Sequence, residues 1–111
     1  MNFPILFLRL FPVSLVTVVG SSMYPTYKAN QRLIVVGAVF AKFHTKDVIV
    51  FFEPIRKRIL VKRITKMQQN KFFVEGDNPS KSTDSNQFGW IDKKNILAKV
   101  IYPKTSYNSK Q

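Results

Sequence analysis

A mostly-β domain, an antiparallel sheet partly closed into a compact barrel, is the fold class that the sequence predicts. Three observations predict it. Short apolar runs rich in β-branched residues recur along the chain, clusters of Gly, Pro and Asn separate them, and no amphipathic helix of useful length interrupts them. At 111 residues the chain makes one domain, large enough to bury a modest core without metal or disulfide staples. It has no cysteine, which removes thiol chemistry.

The elements follow in order. Residues 1–11 form an apolar leading segment, and the apolar character continues to Val19. Arg9, Pro4 and Pro12 interrupt this stretch, and 3–19 is at the short limit for crossing a bilayer. Two readings stand: a membrane-anchor remnant or interfacial segment, or an apolar lead-in to a core strand. The β-branched run at 13–19 predicts a strand. A turn at Gly20-Ser21-Ser22-Met23-Tyr24-Pro25-Thr26 then presents hydroxyls and is stiffened by Pro25. Residues 32–36 predict a second strand closed by Gly37, and His44 falls in a polar, exposed turn. Residues 48–52 (Val-Ile-Val-Phe-Phe) form a continuous apolar run of strand length, expected to be buried on both faces.

After a basic hairpin connection at Arg56-Lys57-Arg58, residues 59–67 predict a strand on which Leu60, Lys62 and Ile64 share one face. Lys62 is thus flanked by branched aliphatics. Either it is buried, so that lost hydration lowers its pKa and lets it accept a proton, or its stem packs while the ammonium reaches water. A turn at Gln68-Gln69-Asn70 leads to a strand at 71–75. A long loop rich in hydroxyls and turn formers, bracketed by Gly76 and Gly89, follows. Asp92-Lys93-Lys94 predicts one helical turn, 96–102 a last strand, and 104–111 a polar tail. The domain proper is therefore 12–103.

The chemistry starts from Ser22. A serine hydroxyl needs a base, and the sole histidine is the exposed His44, so a lysine base is favoured over a Ser-His-Asp triad. The net charge of +12, from 18 Lys and Arg against 6 Asp and Glu, suits an anionic partner such as a membrane surface. The lysines are scattered and no nucleic-acid-binding signature is present, so no nucleic-acid partner is expected. No cofactor or metal is implied.

Three separated motifs, in order, resemble those of the signal peptidase I family of Ser/Lys-dyad membrane proteases. Gly20-Ser21-Ser22-Met23-Tyr24-Pro25-Thr26 is similar to the nucleophile box, Val61-Lys62-Arg63-Ile64 to the Lys-Arg box, and Gly76-Asp77-Asn78 with Ser82, Asp84 and Ser85 to the third box. The resemblance implies a β fold of the signal peptidase type, Ser22 as nucleophile and Lys62 as general base. It further implies that Ser82 orients the lysine, Asp84 pairs with Arg63, Met23 lines the apolar binding site, and Gly20, Ser21 and the Ser22 N–H belong to the oxyanion and substrate side. The implied substrates are exported preproteins cut after small residues, and the implied location is the outer face of the cell membrane.

Some members carry a serine where this chain has Gly20. The third box has Pro79, Ser80 and Asn86 where charge is common, and the interval from Ile64 to Asp77 is short. That compactness is similar to a small branch including nickel superoxide dismutase maturation proteases. Two alternatives therefore accompany general preprotein processing: removal of the propeptide of one specific enzyme, and an inactive membrane-associated binding module.

Overall fold

In a computed structural model, which describes residues 7–81 and 85–104, the chain forms one antiparallel sheet of seven strands. These are β1 (Ser14–Thr17), β2 (Arg32–Gly37), β3 (Val48–Glu53), β4 (Arg58–Gln68), β5 (Lys71–Glu75), β6 (Ile91–Asp92) and β7 (Ile96–Tyr102), in the order β1-β2-β7-β3-β4-β5-β6. Every strand expected from the sequence forms. The two-residue β6 is an addition, and β7 inserts between β2 and β3 so that the last strand becomes central.

Alternation explains why β3 sits in the middle. Val48 and Val50 face one cluster with Val18, Met23, Tyr27, Leu33, Val35, Leu97 and Ala98. Ile49 and Phe51 face a second with Ala38, Phe43, Ile64, Phe72, Val74, Ile91 and Ile96. A strand with apolar residues at every position needs a neighbour on each face as well as at each edge, and β3 pairs with β4 on one side and β7 on the other. Here the expected partial closure is not found. The sheet is open, with β1 and β6 at its two edges. A barrel encloses one interior, whereas this sheet buries two clusters on opposite faces of its central strand.

Polar groups secure the connections. Glu53, fully buried at the end of β3, accepts from the backbone N–H groups of Ile55 and Arg56 and from Arg58 Nε at 3.1 Å, which closes the β3–β4 hairpin. The β4–β5 hairpin turns on Gln69 and Asn70, with Gln69 at φ 53°. β6 is held to β5 by Lys71 Nζ donating to Asp92 Oδ2 at 3.0 Å, and Asp92 also caps the 3-10 turn Lys93–Asn95. The expected helical turn is that 3-10 turn. The side-chain hydrogen bond from Lys71, followed by the Lys94 N–H, holds the Asp92 carboxyl below the ordinary carboxylate range.

The leading segment is described from Phe7, and the part of it at 1–6 lies outside the described residues. It lies across the end of β2. Arg9 Nη1 donates to the carbonyls of Lys94, at 2.7 Å, and Ile96. Gly37 N–H donates to Phe11 O at 2.9 Å, and Val39 N–H to Arg9 O at 3.2 Å. The approach is so close that a Cβ on Gly37 would lie under 3.0 Å from the carbonyl oxygens of Leu8, Arg9 and Phe11, so only glycine fits there. No helix among the described residues is long and apolar enough to cross a membrane.

Candidate active site

The serine turn leaves β1 through Val18 and Val19 and reverses at Gly20, whose φ of +81° is left-handed and favours glycine although a Cβ would meet nothing within 4 Å. Backbone geometry therefore sets glycine at position 20. The turn is pinned from both ends: Val18 N–H donates to Gln31 O at 2.8 Å, and Tyr27 N–H to Met23 O at 2.9 Å. Met23 is 1% exposed and forms part of the first cluster. Ser21 is exposed, and Ser22 is half-buried.

Lys62 occupies β4 opposite Ile49, and its side chain is buried, with 2% exposure for the residue. This decides between the two expectations for it: the ammonium is not snorkelled out to water. The flanking residues follow the expected alternation, with Leu60 and Ile64 packing with the second cluster and Val61 with the first. β5 pairs with β4 only from Arg63 onward, so the part of β4 ahead of Arg63 is paired by β3 alone.

A cavity of about 390 Å³ lies along that unpaired edge. Its lining includes Val16, Thr17, Val18 and Val19 from β1 and its continuation, Ser22 and Met23 from the turn, and the consecutive residues Ile59, Leu60 and Val61 of β4. Successive strand residues point to opposite faces, so three in a row line one cavity because it runs past the strand's edge. Ser22 thus shares an apolar cleft with the residues immediately preceding Lys62. Val50, Leu97 and Leu8 complete the lining.

The Gly76-Asp77-Asn78 loop locks these parts together. Asp77 accepts from Arg63 Nε at 2.9 Å and from Arg63 Nη2 at 2.7 Å, a bidentate pair with both side chains at most 4% exposed. Thr26 Oγ1 donates to the same carboxylate at 2.6 Å. Asn78 N–H donates to Ser22 O at 2.8 Å, and Asn78 Nδ2 to Ser21 O at 3.0 Å. Arg63 Nη1 also donates to Lys46 O at 2.6 Å. One loop therefore grips the serine turn and the lysine strand at once.

Ser82 and Asp84 lie outside the described residues. Among the described residues the carboxylate on Arg63 is that of Asp77, a pairing that the motif resemblance does not imply. Simple counting through the two-residue hairpin at 69–70 would set Gly76 opposite Arg63; an irregularity between Ile64 and Lys66 shifts the register so that Glu75 stands there, with Asp77 two residues further on. His44 is exposed in its turn, 3.6 Å from Asp47 through Nδ1. No group of acidic, His or Cys side chains among the described residues could hold a metal.

The family model for signal peptidase, peptidase S26, matches residues 2–67, more than half of the chain, and covers both the serine turn and the lysine strand. The chain belongs to the signal peptidase family. At that level it is a serine peptidase whose substrates are the peptide segments of preproteins. No curated protein matches the chain. The cleft beside Ser22 is lined by residues of β1 and of the first part of β4, and each of these stretches has a strand partner on one side only.

Proposed function

We propose that the chain is a serine endopeptidase of the signal peptidase I type that cuts exported preproteins after small residues, with Ser22 as nucleophile and Lys62 as general base. The observation that carries this reading is the burial of Lys62 immediately next to the residues that share a cleft with Ser22. Burial disfavours the charged form of a lysine, and a neutral amine can take a proton where an ammonium cannot.

In this scheme Ser22 Oγ attacks the scissile carbonyl while its proton passes to Lys62 Nζ. The carbonyl oxygen becomes an oxyanion stabilised by the Ser22 N–H. The tetrahedral intermediate collapses, the C–N bond breaks, and the leaving amine takes the proton from Lys62. Water, deprotonated by the again neutral lysine, then hydrolyses the Ser22 ester. Asp77 keeps the strand and the turn in mutual register through Arg63, Thr26 and the loop it belongs to. Ser82 and Asp84 are assigned supporting roles by resemblance, and the surplus of cations suits an anionic membrane on the extracytoplasmic side.

The test is incubation with a preprotein carrying Ala-x-Ala, with the cut mapped by mass spectrometry. The parent chain is expected to cut after the second alanine. Ser22→Ala, Lys62→Ala and Lys62→Arg are expected to lose turnover with the fold retained, since a guanidinium does not deprotonate in proteins. Full cleavage by any of the three would refute the dyad. A second reading, maturation of one specific preprotein, is favoured by the tight hairpin that alone spans the interval between the lysine strand and the third motif. Under that reading the generic Ala-x-Ala substrate is left uncut and a single cognate propeptide is removed.

A further inference from the structure

The cleft has one lining residue that comes from neither the sheet nor the serine turn. Leu8 belongs to the leading segment, ahead of β1, yet it lines the same cavity as Ser22 and packs against the first cluster. What holds it there is independent of the cavity. The neighbouring Arg9 donates to the Lys94 and Ile96 carbonyls, Val39 N–H donates back to Arg9 O, and the backbone crosses Gly37 at a distance that admits no side chain. A half-buried leucine fixed from outside the pocket is a wall whose position does not depend on what enters. The rest of the lining is apolar apart from Thr17 and Ser22, so the occupant is an apolar side chain and the space left to it is limited by the walls.

We propose that Leu8 is a specificity-determining residue that limits the size of the substrate side chain admitted beside Ser22, and that Arg9 is the positioning residue that keeps it in place. This deepens the proteolytic reading above and rests on the cavity being the peptide cleft. Removing the wall lets a larger residue in, and enlarging it excludes all but the smallest. One methylene in an apolar pocket is worth about 10–200-fold in discrimination, so a change of several carbons is readily measured.

The experiment uses synthetic Ala-x-Ala peptides in which each of the three residues before the cut is replaced in turn by Val, Leu or Phe. Relative kcat/KM is measured on the full chain, and binding of the same peptides is measured by fluorescence anisotropy on the Ser22→Ala background. Leu8→Ala is expected to raise the Leu-to-Ala preference at one position by about tenfold or more, and Leu8→Phe to lower it. Arg9→Ala is expected to shift preference in the same direction as Leu8→Ala, with partial restoration in Arg9→Lys, whose ammonium can still donate to carbonyls.

A preference unmoved by both Leu8 substitutions in folded protein overturns the proposal, and an Arg9→Ala profile identical to the parent removes Arg9 from it. Cleavage with an unmoved preference defeats the Leu8 assignment alone. Size-selective binding that moves with Leu8, but without cleavage by the parent, defeats the proteolytic reading alone. Absence of binding and of cleavage defeats both.

Discussion

The two faces of β3 put adjacent residues to opposite uses. Ile49 and Phe51 face a cluster filled by rings: Phe43 and Phe72 meet edge to face at 5.8 Å, and Phe51 lies 6.1 Å from Phe88. Val48 and Val50 face the other cluster, and Val50 borders the 390 Å³ cleft that holds Ser22. Side chains one position apart thus serve a sealed interior and an open one. The difference teaches that a small sheet can carry a cleft on one side because the opposite side is packed with large aromatic area, each ring contributing dispersion and burial over many atoms.

The sharpest way to break this arrangement is at the junction both sides share. Asp77→Ala removes the buried carboxylate that Arg63 and Thr26 share, and removing one member of a buried ion pair costs about 3–5 kcal/mol. We expect a correspondingly lowered urea midpoint together with loss of preprotein cleavage, because Thr26 and Arg63 lose their common partner. An unchanged midpoint would show that the pair does not bind the two regions together.

A matched pair on β3 sharpens the comparison itself. Phe51→Ala is expected to cost about 3–5 kcal/mol while the surviving folded protein keeps its order of preference among peptides. Val50→Ala removes two methyl groups beside an existing cavity and is expected to cost at most about 1.6 kcal/mol, while altering which side chains are accepted. Denaturant melts and peptide profiling of the two variants check both halves, and equal costs with equal profiles would erase the distinction.

The smallest effect lies at the periphery. The Asp92 carboxyl is held below its ordinary value of 3.8 by the hydrogen bond from Lys71 and the N–H of Lys94. A depressed carboxyl stabilises the fold above its unfolded pKa, and that contribution disappears as pH falls through the folded one. Asp92→Asn should therefore melt slightly below the parent at neutral pH, with the gap closing below pH 3.8. A gap that widens on acidification would reverse the sign.

Much of this was legible in the residues. The apolar run of β3 announced burial on both faces, and alternation along β4 announced that Lys62 keeps aliphatic company. The serine turn was marked by its glycine and proline. What the residues did not reveal was long-range. Nothing local says that Ile96–Tyr102 slips between β2 and β3, since strand order depends on pairings distant in the chain. The same holds for Arg9, which read as a charge spoiling an apolar stretch and proves to clamp that stretch onto the carbonyls of Lys94 and Ile96. The open sheet, where partial closure was expected, follows from the two clusters rather than from any single strand. Asp77 was missed because a loop crowded with polar side chains offered several candidates, and an irregularity between Ile64 and Lys66 shifts the register by which hairpin counting would rank them.

The ion pairs have an effect that reaches beyond the molecule. Asp47, Glu53, Asp77 and Asp92, four of the 6 acids, are each engaged by a Lys or Arg. Few anions remain to offset the outward potential of the other cations, which decays over a Debye length of about 8 Å at physiological ionic strength. Encounter rates therefore inherit a sign: acidic polypeptides approach faster as salt is diluted, basic ones more slowly, before any contact inside the cleft has been made.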